Sequence, residues 1–339
     1  MRLRVYMFLL AATLLPLSVA TTQAIGATDE LVIYAYDSFV SYGLAGATIN
    51  KFEDQNNCKV TVVGVGDAGS VLNRAIMEKN NPKADILVGV DNNLLTKALA
   101  ADVLEVYKPQ NMDLIPAKFR FDPTYHVTPF DYGYVAINYD SEKVAEPPQT
   151  FAELLDGKWR GKLILEDPRT SSPGLAFLYW TIAVFGDEGY LDFWRKLKPT
   201  ILTITASWDT AYGMYTKGEA PMVLSYATSP AYHVKYEETT RYRAVLLNNS
   251  GYLQIEGMGI VKGAKHKELA QKFIEFMLTE DFQKEIPTTN WMFPVNPNVT
   301  LPECFDYAVQ PTQIFTLTSD EIEKNRERWL EEWTTMITE

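Results

Sequence analysis

Three kinds of group in this chain have chemistry to offer: paired hydroxyls at a helix start, a carboxylate in a glycine turn, and aromatic rings behind strand ends. Residues 167–180 read D-P-R-T-S-S-P-G-L-A-F-L-Y-W. Ser171 and Ser172 stand where a helix begins, Pro173 suits its first position, and Leu175 to Trp180 supply the apolar run that follows. Backbone N–H groups, hydroxyls and the positive end of a helix dipole suit an anionic or polar small-molecule group. An ordinary capped helix would carry the same residues.

The second motif, Gly64-Val65-Gly66-Asp67-Ala68-Gly69, is a G-x-G-x-x-G between an expected strand and an expected helix, with Asp91 after the next strand. That is the layout of a dinucleotide fingerprint. Asp67 speaks against it, because a carboxylate would sit where a pyrophosphate must be cradled. A tight turn facing some other ligand fits better. The three histidines, His126, His233 and His266, are scattered and give no metal-ligand spacing, and there is no G-x-S-x-G elbow.

The stronger pattern is aromatic. Tyr36-Asp37-Ser38, Trp208-Asp209 and the run Tyr226-Ala227-Thr228-Ser229-Pro230-Ala231-Tyr232 each follow a strand, and Asn290-Trp291 lies in a Pro-bounded loop. Loops after strand C-termini form the ligand crevice of α/β lobes. Rings repeated at such places, each with a carboxylate or hydroxyl neighbour, point to a flat cationic ligand held by stacking and cation–π contact.

The elements that must position these groups alternate. Strands are expected at 31–35, 60–65 and 84–90, with helices between them, and a long strand follows Pro129. Thr150 and Glu153 form a capping box, and a second series starts at Lys162. It runs through helices at 175–184 and 190–197, a strand at 201–205, a helix at 210–217 and a strand at 222–226. A long strand after Gly251 and helices at 267–278 and 318–335 complete the chain, the last opened by a Thr318–Glu321 box. The fold class is α/β. The two long crossings divide the chain into a discontinuous lobe of 28–130 plus 255–339 and a second lobe of 131–254.

Residues 1–27 have the layout of a secretory signal peptide: Arg2 and Arg4, an apolar run to about Ala20, then small residues with cuts possible after Ala20, Ala24 or Ala27. Removing them changes the net charge from −12 to −14, since two arginines leave and no acid goes with them. An acidic exported protein disfavours nucleic acid or an anionic membrane as partner and predicts no stable membrane insertion after cleavage. Cys58 and Cys304 exclude a disulfide scaffold or a four-cysteine zinc site, and leave open one long-range disulfide or plain burial.

Seven strings carry a resemblance along nearly the whole mature chain: Y-D-S-F at 36–39, S-V-L-N-R at 70–74, K-A-D-I-L-V-G-V-D-N-N-L-L at 83–95, P-F-D-Y-G-Y at 129–134, D-P-R-T-S-S-P-G at 167–174, L-S-Y-A-T-S-P-A-Y-H at 224–233 and I-P-T-T-N-W-M-F-P-V at 286–295. In these the chain resembles the periplasmic thiamine-binding proteins of ABC importers. The resemblance implies a two-lobed type II periplasmic binding protein, hinged on two crossover strands, that captures thiamine or its mono- and diphosphate and delivers it to an inner-membrane permease. It implies no cofactor and no metal. Ligand contacts are expected at Asp67 and Ala68, Ser171 and Ser172, Trp208 and the segment Tyr226, Ala227, Thr228, Ser229 and Pro230. Tyr36 with its neighbour Asp37, Tyr232 and Trp291 would line the same cleft. The rival reading is a thiamine-degrading enzyme resembling type I thiaminases on the same fold, which needs a nucleophilic cysteine in the cleft.

Overall fold

The computed structural model describes residues 29–339, so the expected signal peptide at 1–27 lies outside the described residues. Its strands are β1 (Glu30–Ala35), β2 (Lys59–Gly64), β3 (Ile86–Val88), β4 (Thr128–Asp140), β5 (Leu163–Glu166), β6 (Ile201–Thr205), β7 (Met222–Tyr226), β8 (Tyr242–Val245), β9 (Ser250–Ile260), β10 (Phe293–Pro294) and β11 (Gln313–Phe315). Its helices are α1 (Asp37–Ser41), α2 (Leu44–Asn56), α3 (Ala68–Met77), α4 (Leu95–Ala101), α5 (Phe151–Leu154), α6 (Ser172–Leu197), α7 (Trp208–Thr216), α8 (Pro230–Tyr236), α9 (Lys267–Met277), α10 (Glu280–Gln283), α11 (Ile286–Thr289) and α12 (Ser319–Thr338).

One sheet runs in the order β2-β1-β3-β9-β4-β7-β5-β6. Its two ends are parallel, β2-β1-β3 and β7-β5-β6, as strand-helix alternation dictates. The antiparallel pair β4 and β9 joins them. Both strands of this pair are almost wholly buried, so the chain crosses between lobes twice through the interior. We propose the lobe division at 130/131 and 254/255, inside these strands.

Two local signals act differently from their reading. The helices expected at 175–184 and 190–197 form one run broken at Gly186, where φ is +72°. At the Thr150 box the Thr150 hydroxyl accepts from the Glu153 N–H, but the Glu153 carboxylate accepts from Gln149 N instead of Thr150 N. The box of α12 is complete.

Helix α12 touches α4 and also packs along α6. Trp333 meets Trp194 edge-on at 5.6 Å and Trp329 meets Tyr179 at 5.7 Å. The Tyr190 hydroxyl donates to Glu332 (2.6 Å), and Arg328 pairs with Asp187 (2.8 Å). The C-terminal segment therefore straps the middle of the chain to its beginning. Aromatic burial carries this contact, because the Arg328–Asp187 pair is solvent-screened. Trp333→Ala should cost about 3–5 kcal/mol of unfolding free energy in urea titration, and Arg328→Ala less than ~1 kcal/mol. A larger loss for Arg328→Ala would assign the strap to charge.

Candidate functional site

The C-terminal ends of β1, β2 and β3 face those of β5, β6 and β7 across the β4–β9 pair, and the loops and helix starts there line a cleft open to solvent. Its walls come from both lobes, which approach closely: a Cβ on Gly69 in α3 would stand 2.6 Å from the Thr170 carbonyl. Gly89 is equally constrained, with φ +109° and Tyr36 packed over it.

Asp67 ties the two sides together. As N-cap of α3 it accepts from Ala68 N at 2.7 Å, and across the cleft from Trp208 N at 3.0 Å and the Ser172 hydroxyl at 3.4 Å. Burial raises its pKa, against the two backbone donors that lower it. The glycine turn thus presents a carboxylate where a nucleotide motif would present free N–H groups, and the nicotinamide alternative has no place for a pyrophosphate.

The floor is built from the crossing strands. Glu256 on β9 lies directly opposite Asp131 on β4. Its carboxylate accepts from the Tyr36 hydroxyl at 2.7 Å and from Gln254 at 3.3 Å, while Asn290 Nδ2 donates to Asp131 at 2.6 Å and to the Tyr36 oxygen at 2.9 Å. Burial pushes Glu256 up to about 7, with Asp67 repulsion adding to it against the Tyr36 hydrogen bond. Burial followed by Glu256 raises Asp131, and burial followed by Asp67 raises Glu166, whose two oxygens have no partner. Behind β3, burial pushes Asp91 up to about 8 against N–H donors from Leu94 and Asn93.

The remaining wall is aromatic. Trp208 stacks on Tyr212 at 4.9 Å, Tyr42 bridges Trp208 (5.6 Å) and Tyr232 (5.5 Å), and Tyr232 meets Trp291 at 5.2 Å. Trp208 Nε1 donates to Ser225, which shares a hydrogen bond with Ser229. His233 braces the wall from behind, bonded to Tyr212 and Glu237, and burial lowers its pKa. Among the described residues no lysine or arginine lines the cleft.

Of the residues expected from the sequence, Tyr36, Asp67, Ser172, Trp208, Tyr226, Ser229, Tyr232 and Trp291 line it together. The others stand behind them. Asp37 accepts from Gly66 N and holds the glycine turn. Ala68, Ala227 and Pro230 are buried in the supporting elements. Ser171 and Thr228 are buried with hydroxyls that have no partner. Neither serine caps α6 through its side chain, so simple capping does not explain the pair. Tyr42, Tyr212, Glu256 and Met292 line the cleft without having been expected there. Cys58 and Cys304 are free, buried in separate parts of the core, and absent from the cleft lining. No helix of the described residues is long and apolar enough to cross a membrane.

Comparison with known proteins places this architecture. The model of the bacterial extracellular solute-binding proteins matches residues 47–311. A thiamine-binding periplasmic protein of Brucella melitensis is 42% identical over 93% of this chain and 94% of its own length. That of Escherichia coli K12 is 40% identical over 94% and 97%. A solved periplasmic thiamin binding protein superposes with a TM-score of 0.85 at 38% identity, covering 91% of this chain and 96% of its own. Iron-bound HitA of Pseudomonas aeruginosa, at 21% identity and a TM-score of 0.76, shares the fold. The family match spans both crossing strands and every wall of the cleft except Tyr36, Ser38 and Tyr42, and this chain belongs to the bacterial extracellular solute-binding proteins, built on the type II periplasmic binding fold.

Proposed function

We propose that the protein captures thiamine and its phosphate esters in this cleft, in the periplasm, and delivers them to an inner-membrane ABC permease. One observation carries the reading: among the described residues the cleft faces its ligand with two buried carboxylates and a set of aromatic rings and supplies no cation of its own. A thiazolium is permanently charged, so its burial calls for carboxylate or aromatic partners, and the aminopyrimidine ring is flat enough to stack between Trp or Tyr faces. The names of the relatives at about 40% identity agree with that chemistry. We further propose that residues 1–27 are removed on export.

The enzymatic rival draws no support from the lining, where no cysteine stands ready as nucleophile. The hydroxyls of Ser172, Ser229 and Tyr226 are the receptors offered to the alcohol or phosphate end of the ligand, with the buried N-terminus of α6 behind Ser172.

Calorimetric titration of the folded protein should show saturable one-to-one binding of thiamine. No heat and no tryptophan fluorescence change with thiamine, its monophosphate or its diphosphate would overturn the proposal. Replacing both Ser171 and Ser172 by Ala should weaken the phosphate esters more than thiamine itself. Equal losses for all three would leave the serines a packing role only.

A further inference from the structure

Thiamine recognition accounts for Glu256 in the floor of the cleft but not for a second carboxylate, Asp131, placed beside it. Asp131 and Glu256 face each other on antiparallel strands, which brings directly opposed side chains together on one face of the sheet. Both are buried, and the charge of Glu256 is among the causes that raise Asp131. One oxygen of Asp131 takes the Asn290 amide, and the other, Oδ1, is fully buried without a donor. Glu256 is 6% exposed and is held by Tyr36 and Gln254, neither of them charged. Neither carboxyl is in an ion pair among the described residues. Two adjacent buried carboxylates without a cation cannot both stay ionised, and a proton between them would supply the donor that Asp131 Oδ1 lacks.

The indole N–H of Trp291 is a second unmet group at this site. It is buried without an acceptor in a residue that lines the cleft, is 7% exposed overall and is held at φ +59°.

We propose that Asp131 and Glu256 hold one proton between them in the empty cleft and release it to solvent when the ligand's permanent cation settles on Glu256. Glu256 then binds the charge, and Asp131, which does not line the cleft, is a positioning residue that acts through it. The proposal rests on the thiamine reading for the identity of the cation. Asp67 is the competing carboxylate, but three donors already occupy it. The other groups facing the pair are Tyr36 at the start of α1, Asp91 after β3, Tyr226 at the end of β7, Gln254 on β9 and Asn290 after α11. Of these, Asp91 accepts from the N–H groups of Leu94 and Asn93.

Carbon-13 spectra of the side-chain carboxyls in ligand-free protein, recorded from pH 5 to pH 9, test the shared proton directly. Apart from the signal of Asp91, assigned by its own Asp91→Asn variant, a carboxyl should titrate near neutrality that vanishes in Glu256→Gln and moves to lower pH in Asp131→Asn. Two carboxyls already charged at pH 5 would overturn the proposal, whatever the protein binds. Calorimetry at pH 7 in phosphate and in Tris should then report proton release on thiamine binding by wild type, with affinity rising from pH 6 to pH 8. Glu256→Gln should lose the proton release and at least tenfold in thiamine affinity. Unchanged affinity, or release that persists in this variant, would assign the charge to Asp67 instead. Absence of thiamine binding by wild type would remove the ligand reading, and the carboxyl titration of the empty protein would still decide the proton.

Discussion

Acidic side chains buried without cations are the constraint on which this molecule is built. An isolated carboxylate loses several kcal/mol of hydration when buried, and here Asp67, Asp131, Glu166 and Glu256 all lie at or just behind one cleft whose lining, among the described residues, has no lysine or arginine. The protein meets part of that cost with N–H and O–H donors and leaves part unmet. What is unmet suits the ligand proposed above, an organic cation with a flat ring, for which aromatic faces add about 2 kcal/mol or more each when desolvated.

The same carboxylates organise the two lobes. Asp67 caps its own helix and accepts from the backbone of Trp208 across the cleft, so a single side chain fixes the turn, the helix start and the approach of the opposite wall. Gly69 makes that approach possible by leaving room for the Thr170 carbonyl. Glu256 and Asp131 sit on the two strands that connect the lobes, so the charge at the floor and the crossing geometry are set by the same residues. With the lobes in contact the cleft between them is narrow, walled by aromatic rings and a few polar groups as small-molecule sites are.

Periodicity made the alternating elements legible, and the strands at β6 and β7 fall where the pattern places them, because parallel strands and amphipathic helices have distinct repeats. Turn chemistry revealed Asp67, and the aromatic residues after strand ends revealed Trp208, Tyr226 and Tyr232. Glu256 was not legible. In Y-L-Q-I-E-G-M-G-I-V it reads as one more alternating polar position, and only the pairing of β9 with β4 shows that this face is buried against Asp131. Tyr42 was hidden for a related reason: it follows the short helix α1 and reaches Trp208 and Tyr232 only once the lobes meet. Long-range register and lobe contact leave no local signature.

Charge recognition is tested most directly by comparing thiamine with its deaza analogue, in which a neutral thiophene replaces the thiazolium at nearly the same shape. If the buried carboxylates and aromatic faces answer the cation, calorimetry should give the analogue at least a hundredfold weaker binding. Equal affinity for the two would contradict that account and leave shape and the aminopyrimidine as the whole basis of recognition.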